Sequence, residues 1–129
     1  MKKLILAFSL IIFAVACNRA SDVVLPEGEY KYISGVDKSA EITIAFDTKE
    51  KRFYDTSGVN RYFGSYEQDG SNISFSPVGT TMMAGPENLM KAEREYLGDL
   101  AKVNAFKIED KDLILKTPND GSLIFHKVE

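Results

Sequence analysis

The sequence contains only one cysteine, Cys17, and one histidine, His126. A single cysteine excludes an intramolecular disulfide, so the folded part must be stabilised by packing. With one histidine and no further thiol, a zinc site would have to rest on carboxylates, and no nucleophile elbow suggests a Ser-His-Asp arrangement. The sequence therefore predicts no metal site, no cofactor and no catalytic residue, and we expect a protein without enzymatic activity.

After Cys17, the chain also lacks any cluster of Lys and Arg free of interspersed acidic residues. Its 16 Lys and Arg against 19 Asp and Glu give a formal net charge of −3, whereas nucleic-acid binding requires a basic stripe that neutralises phosphates. Glu93, Glu95 and Asp99 alternate with lysines and arginines, a pattern typical of a solvated surface. We expect no nucleic-acid partner and a solvent-facing Glu93.

No hydrophobic run is long enough to cross a membrane, which takes about 20 apolar residues in a helix. The run over residues 4–13 follows Lys2 and Lys3 and precedes Ala14-Val15-Ala16-Cys17, as in a secretory signal peptide. The last four residues resemble the lipobox of bacterial lipoproteins. They predict a signal peptide over 1–16, a lipidated Cys17 with a tether over 17–28, and a folded domain over 29–129.

The lipid on Cys17 would attach the protein to a membrane of the cell envelope. Asn18 follows the cysteine in place of the acidic residue that retains enterobacterial lipoproteins in the inner membrane, so we expect attachment to the outer membrane. The alternative is an ordinary signal peptide in which the cysteine is incidental.

After the leader, apolar residues mostly alternate with polar ones in short segments, a pattern that indicates strands with one buried face. These residues are Tyr30 and Tyr32; Ile42, Ile44 and Phe46; Phe53; Tyr62 and Tyr66; Ile73 and Phe75; Phe106 and Ile108; Leu113 and Leu115; and Leu123 and Phe125. Asp69-Gly70 predicts a hairpin with a type I′ turn. His126 is out of phase with Phe125 and should face solvent.

The pattern becomes helical after Pro86, which suits a first helical position, and apolar residues then recur every three or four positions to Val103. We expect one helix of about 15 residues. The predicted fold is mainly β (α+β): a monomeric, small antiparallel β-barrel or half-barrel of seven to eight strands with one α-helix packed on it.

Two segments resemble a known family. Residues 58–66, Gly-Val-Asn-Arg-Tyr-Phe-Gly-Ser-Tyr, are similar to the G-C-N-x-Y-x-G-x-Y signature of the META domain, or HslJ-like, family, and residues 81–86 resemble its T-x-M-A-C-P motif. The resemblance implies a compact β-rich domain, often exported and membrane-anchored. Different members are associated with heat-shock response, novobiocin resistance or secretion, and no enzymatic activity is established for the family.

Val59 and Gly85 stand where the two family motifs have cysteine. If they replace a bridged pair, their Cα atoms should lie within about 7 Å of each other. No disulfide or redox role of the family carries over to this chain.

Asn60, Tyr62, Tyr66 and Met83 are the candidate binding residues. Tyr62 and Tyr66 flank Gly64 on one strand face, which fits either a slot for a flat ligand or core packing, and packing is favoured. Asn60 is expected to close its turn through backbone hydrogen bonds. Met82 and Met83 either line an apolar groove or fill space beneath a loop, and the second is favoured.

Two functions remain open. The first is a non-enzymatic, lipid-anchored envelope protein that binds another, unidentified envelope protein, with a stress-related role as one option. The second is a small β-barrel that binds an apolar ligand in an interior lined by Tyr62, Tyr66 and Met83. A filled interior with exposed apolar residues outside favours the first function, and an internal cavity favours the second.

Overall fold

The computed structural model describes residues 24–128, so the predicted signal peptide and Cys17 lie outside the described residues. This part of the chain contains nine strands and one helix. They are β1 (Gly28–Tyr32), β2 (Thr43–Asp47), β3 (Arg52–Thr56), β4 (Arg61–Asp69), β5 (Asn72–Phe75), β6 (Gly79–Thr80), α1 (Glu87–Leu100), β7 (Ala105–Glu109), β8 (Asp112–Thr117) and β9 (Gly121–Lys127).

The strands form one antiparallel sheet that closes into a ring. Its order is β3-β2-β1-β9-β8-β7-β5-β4-β6, and β3 also pairs with β4, so eight strands complete the ring and β6 pairs outside it with β4. The predicted class, mainly β with one helix, is confirmed. The additional strand, β6, has two residues, too few to produce a visible alternation in the sequence.

Aromatic side chains fill the interior of the ring. On β4, Tyr62 and Tyr66 point inward while Arg61, Phe63 and Ser65 point outward, as the alternation predicts. Gly64, between the two tyrosines, leaves room for Phe53 of β3, because a Cβ at this position would lie 2.7 Å from the Phe53 ring. The space between Tyr62 and Tyr66 is therefore occupied by a core side chain.

The predicted hairpin between β4 and β5 is confirmed, but its turn differs. Asp69 is still a strand residue and pairs with Asn72, so the two-residue loop is Gly70-Ser71. Within this loop only Gly70 has a positive φ, 64°, whereas a type I′ turn needs positive φ at both central residues. The type I′ prediction is wrong, and the glycine in first place fits type II′.

The packed part of the chain begins before the expected boundary at residue 29. Leu25, which the sequence suggests as tether, is only 1% exposed and belongs to the hydrophobic core. It ends the short run Val23-Val24-Leu25 before Pro26, which is too short to show a strand or helix pattern, and burying it removes a large apolar surface from water.

Helix α1 contains 14 residues, and Pro86 is its N-cap rather than its first helical residue, with φ −56° and ψ 144°. Tyr96 and Leu100 are buried in the core, where the Tyr96 ring lies 5.0 Å from that of Tyr32 and 5.6 Å from that of Tyr62. Within residues 24–128, no helix has the length and hydrophobicity needed to cross a membrane.

Candidate functional site

A buried carboxylate connects the helix to the β3–β4 loop. Glu93 is only 7% exposed. Its Oε1 accepts hydrogen bonds from Ser57 Oγ (2.8 Å) and from the backbone N–H groups of Val59 (3.1 Å) and Asn60 (2.8 Å). The prediction of a solvated Glu93 is wrong, because the donors of the loop replace water around the carboxylate.

These bonds also determine the charge state of Glu93. Burial by itself raises the pKa of the carboxyl, but hydrogen bonds from Asn60, Ser57 and Val59 outweigh it and hold the pKa below its ordinary value. Glu93 is therefore ionised, and donors within the protein bind both of its carboxylate oxygens.

Asn60 continues this network to the segment that precedes the helix. Its Nδ2 donates to Glu93 Oε2 (2.8 Å) and to the Met83 carbonyl (3.2 Å). Its Oδ1 accepts from Met83 N–H (2.6 Å) and Thr81 Oγ1 (2.8 Å). As expected, the side chain bonds to backbone, but it joins two distant segments rather than closing its own turn.

Tyr62 and Tyr66 are both buried, yet their hydroxyl groups differ. Tyr62 donates to the Thr43 carbonyl at 2.7 Å and lies 2.6 Å from the Tyr96 hydroxyl. Burial raises the pKa of Tyr62 well above its usual value, so the phenol stays neutral. The Tyr66 ring packs edge-on against Phe46 at 5.7 Å. Both side chains are part of the core.

Met82 and Met83 lie on the surface. Their side chains are 92% and 53% exposed, so the prediction that they fill space beneath a loop is wrong. Asn60 holds the Met83 backbone through both its N–H and its carbonyl, and this directs the chain along the outside. The structure therefore does not bring the Met83 side chain together with Tyr62 and Tyr66.

Val59 and Gly85 are neighbours. A Cβ on Gly85 would lie 3.6 Å from the Cβ of Val59, a separation found in disulfides. Adding two Cα–Cβ bonds, each about 1.5 Å like the Cα–C bond, places the Cα atoms within about 6.6 Å of each other. The predicted proximity is confirmed, and the valine methyl groups occupy the space between the two positions.

Two large aromatic side chains lie side by side on the outside of the sheet. Tyr54 of β3 and Phe63 of β4 are directly paired across the strands and are 46% and 45% exposed. Ala45 of β2 and Gly79 of β6 complete this row on either side. The Phe63 ring lies over Gly79, where a Cβ would collide with it, and nearly half of each aromatic residue remains exposed. We call Tyr54 and Phe63 the outer aromatic pair.

A groove of about 500 Å³ separates the β1–β2 loop, residues 33–42, from helix α1. Tyr32, Ile42, Ala92 and Tyr96 contribute its apolar and aromatic surface, and Glu95 and Asp99 line it from the helix. We call it the loop–helix groove. Asn88 on the helix donates to Asp37 Oδ2 at 2.9 Å, which joins the loop to the helix.

His126 is exposed, as predicted, and its Nδ1 lies 2.6 Å from Asp112 Oδ1. Over residues 24–128, no three or more His, Cys, Asp or Glu side chains are grouped so that they could hold a metal ion.

The residues of both motifs thus meet in one network around Asn60 and Glu93, and a family model describes this same region. The META domain model matches residues 27–129. The chain belongs to the META domain family.

Solved structures share this META fold at low sequence identity. An NMR structure of a protein from Burkholderia xenovorans is 23% identical, with a TM-score of 0.63 over 84% of this chain and 94% of that one. A crystal structure of a DUF4847 family protein from Bacteroides vulgatus is 12% identical, with a TM-score of 0.55 over 80% and 95%. No curated protein matches the chain. These similarities show the fold alone.

Sequence reasoning missed Glu93 although a signal was present. Leu89, Glu93, Tyr96 and Leu100 follow one another at steps of four, three and four, so Glu93 lies on the buried stripe of the META helix. The loop–helix groove left no comparable signal, because it arises from tertiary packing of a loop against a helix.

Proposed function

We propose that this META domain is a non-enzymatic, lipid-anchored protein of the bacterial cell envelope that binds another envelope protein through the outer aromatic pair. The observation that carries the proposal is the exposure of Tyr54 and Phe63 side by side on two paired strands of the sheet. Aromatic residues are enriched at protein interfaces, where they supply large contact area at little conformational cost.

The packing of the interior favours this function over an apolar ligand inside the ring. Phe53 lies 6.1 Å from Tyr62 and 4.8 Å from Phe75, and Tyr96 lies 6.2 Å from Phe125. An apolar ligand would have to displace these rings, at the cost of their packing. The buried polar groups of Glu93 and Asn60 are likewise bonded within the protein.

The interaction is tested by crosslinking in cells followed by purification and mass spectrometry. We expect the native protein to retain an envelope protein that the double variant Tyr54→Ser/Phe63→Ser loses. Ile108→Ser is the matched control, since Ile108 is an exposed apolar residue of another strand, β7. Failure to capture a protein, or equal capture by the double variant, would reject the proposed interface.

The lipid anchor rests on the leader and on Ala14-Val15-Ala16-Cys17. We expect the mature protein to begin at Cys17, to carry a diacylglyceryl group and to fractionate with the outer membrane. Intact mass and membrane fractionation test this, with Cys17→Ser as control. An unmodified cysteine in the mature native protein would refute the anchor and leave the interaction test unaffected.

A stress-related role follows from the family resemblance alone. A strain without the protein should then survive heat or envelope stress less well than its parent, and expression of the native chain should restore survival. Equal survival of the two strains would refute a stress-related role.

A further inference from the structure

The loop–helix groove has an uncompensated negative charge. Two cationic and three anionic side chains line it, which gives a formal net charge of 2 − 3 = −1: Lys31, Lys38, Asp37, Glu95 and Asp99. Lys31 also lies 3.7 Å from Glu41, and Lys38 Nζ donates to the Ile33 carbonyl at 2.7 Å. Among residues 24–128, neither the Glu95 nor the Asp99 carboxylate has a hydrogen-bond or ion-pair partner. The charge that remains available to a ligand is therefore negative.

The position of these carboxylates adds to the unfavourable electrostatics. Glu95 and Asp99 are four residues apart, so they project from the same face of the helix, where like charges repel. Asp99 also lies in the last turn, which contains no basic residue, although the C-terminal end of a helix favours cations. A cation in the groove would relieve both effects.

The rest of the groove suits an apolar stem. Tyr32 is half-buried, its ring lies 5.0 Å from that of Tyr96, and Gly35 packs so closely that a Cβ there would lie 2.8 Å from the Tyr32 ring. Burial raises the pKa of Tyr32, its hydrogen bond to Ser34 lowers it, and the charges of Asp99 and Glu95 raise it further. The negative charges of Asp99 and Glu95 are therefore close enough to affect Tyr32. An aromatic face itself also attracts cations.

We infer that the loop–helix groove binds an organic cation, an alkylammonium or guanidinium group carried on an apolar stem. The cationic group would lie between Glu95 and Asp99, and the stem against Tyr32, Ile42 and Ala92. A volume of about 500 Å³ falls within the range of small-molecule sites, roughly 300–1,000 Å³. The inference is independent of the outer aromatic pair, which lies on β3 and β4.

The test uses the full chain, purified in detergent, and three probes of equal length: hexylamine, hexanol and hexanoate. Two-dimensional NMR should show hexylamine shifting the backbone signals of Tyr32, Gly35 and Ser122, with hexanol and hexanoate binding about tenfold more weakly or not at all. Equal binding of hexanol and hexylamine, or shifts confined to other surfaces, would overturn the inference.

The double variant Glu95→Gln/Asp99→Asn should reduce hexylamine affinity by about tenfold and leave hexanol binding unchanged. Glu50→Gln/Glu67→Gln, which removes the same charge from exposed positions on the β2–β3 turn and on β4, should bind hexylamine like the native protein. Equal loss in both variants would assign the effect to net charge and refute the site.

A peptide pair distinguishes the two sources of such a cation. If acetyl-Leu-Lys-Leu-amide shifts the same signals at least as strongly as hexylamine, and acetyl-Leu-Gln-Leu-amide does not, the groove recognises a lysine side chain of a protein. If only hexylamine binds, it recognises a free amine. If none of the cationic probes binds, the inference is rejected. The result of the capture experiment on Tyr54 and Phe63 does not depend on this outcome.

Discussion

Glu93 shows how much of the loop structure depends on one side chain. Glu93→Ala would leave the N–H groups of Val59 and Asn60 without their acceptor. Ser57 Oγ would keep only the Asn60 carbonyl, at 3.0 Å. Each unsatisfied buried group costs about 1–3 kcal/mol, so we expect the free energy of unfolding to fall by about 3 kcal/mol in urea titrations. Glu95→Ala, on the exposed side of the same helix, should change it by less than about 0.5 kcal/mol. Similar losses in both variants would contradict a role specific to the buried carboxylate.

Tyr62 and Tyr66 allow a matched comparison of two buried hydroxyl groups. Tyr62→Phe removes the donor to the Thr43 carbonyl and the partner of the Tyr96 hydroxyl, and should lower the free energy of unfolding by about 1–2 kcal/mol. The Tyr66 hydroxyl has no hydrogen-bond partner within residues 24–128. Tyr66→Phe should therefore be nearly neutral in the same thermal or urea measurement, and a reversed order would refute this assignment.

At the scale of elements, the β3–β4 loop and the segment before α1 approach closely enough to be covalently joined. In a Cys17→Ser background, Val59→Cys/Gly85→Cys should form a disulfide, because the Cβ atoms would be 3.6 Å apart. A bridge that closes a loop of this length stabilises by up to about 3.5 kcal/mol in the chain-entropy model. Thiol titration and thermal unfolding, each with and without dithiothreitol, measure both effects.

The single variant Gly85→Cys provides the control for this bridge. With Val59 retained, its Cβ would lie 2.9 Å from Val59 Cγ2, and such crowding is destabilising. The double variant removes those methyl groups, so it should be more stable than Gly85→Cys even when reduced. Two free thiols in the oxidised double variant would show that the backbone cannot adopt disulfide geometry.

The elements predicted from the sequence are those that depend on local pattern. Alternation identified the long strands, and three- and four-residue spacing identified α1. The turn lies one residue later than predicted, at Gly70-Ser71. A type II′ turn needs a positive φ only at its first central residue, and Gly70 supplies it. Met82 and Met83 were misassigned because hydrophobicity alone does not show where a loop runs. Hydrogen bonds with the Asn60 side chain hold the Met83 backbone at the surface. They join residues distant in sequence, so a local pattern does not show them.

At the scale of the whole molecule, β1 leads from the start of the described chain to the loop–helix groove. The strand begins at Gly28, the last residue of the expected tether, and ends at Tyr32, which lines the groove. Its five residues span about 13 Å. The groove therefore lies at the C-terminal end of β1. This geometry could not be predicted from the sequence, since the groove also needs α1 to pack beside the β1–β2 loop.

The ionised Glu93 also makes the stability of the whole domain depend on pH. Its pKa in the folded protein is below the ordinary value of 4.5, so its stabilising contribution is complete above pH 4.5 and is lost as the pH falls through the folded value. We expect the free energy of unfolding to decrease on acidification more steeply in the native protein than in Glu93→Gln. Urea titrations between pH 7 and pH 3 measure this difference, in which carboxylates common to both proteins cancel. If the two curves ran parallel, or if NMR titration of the Glu93 carboxyl carbon showed a pKa above 4.5, the network around Asn60 would not stabilise the charged form.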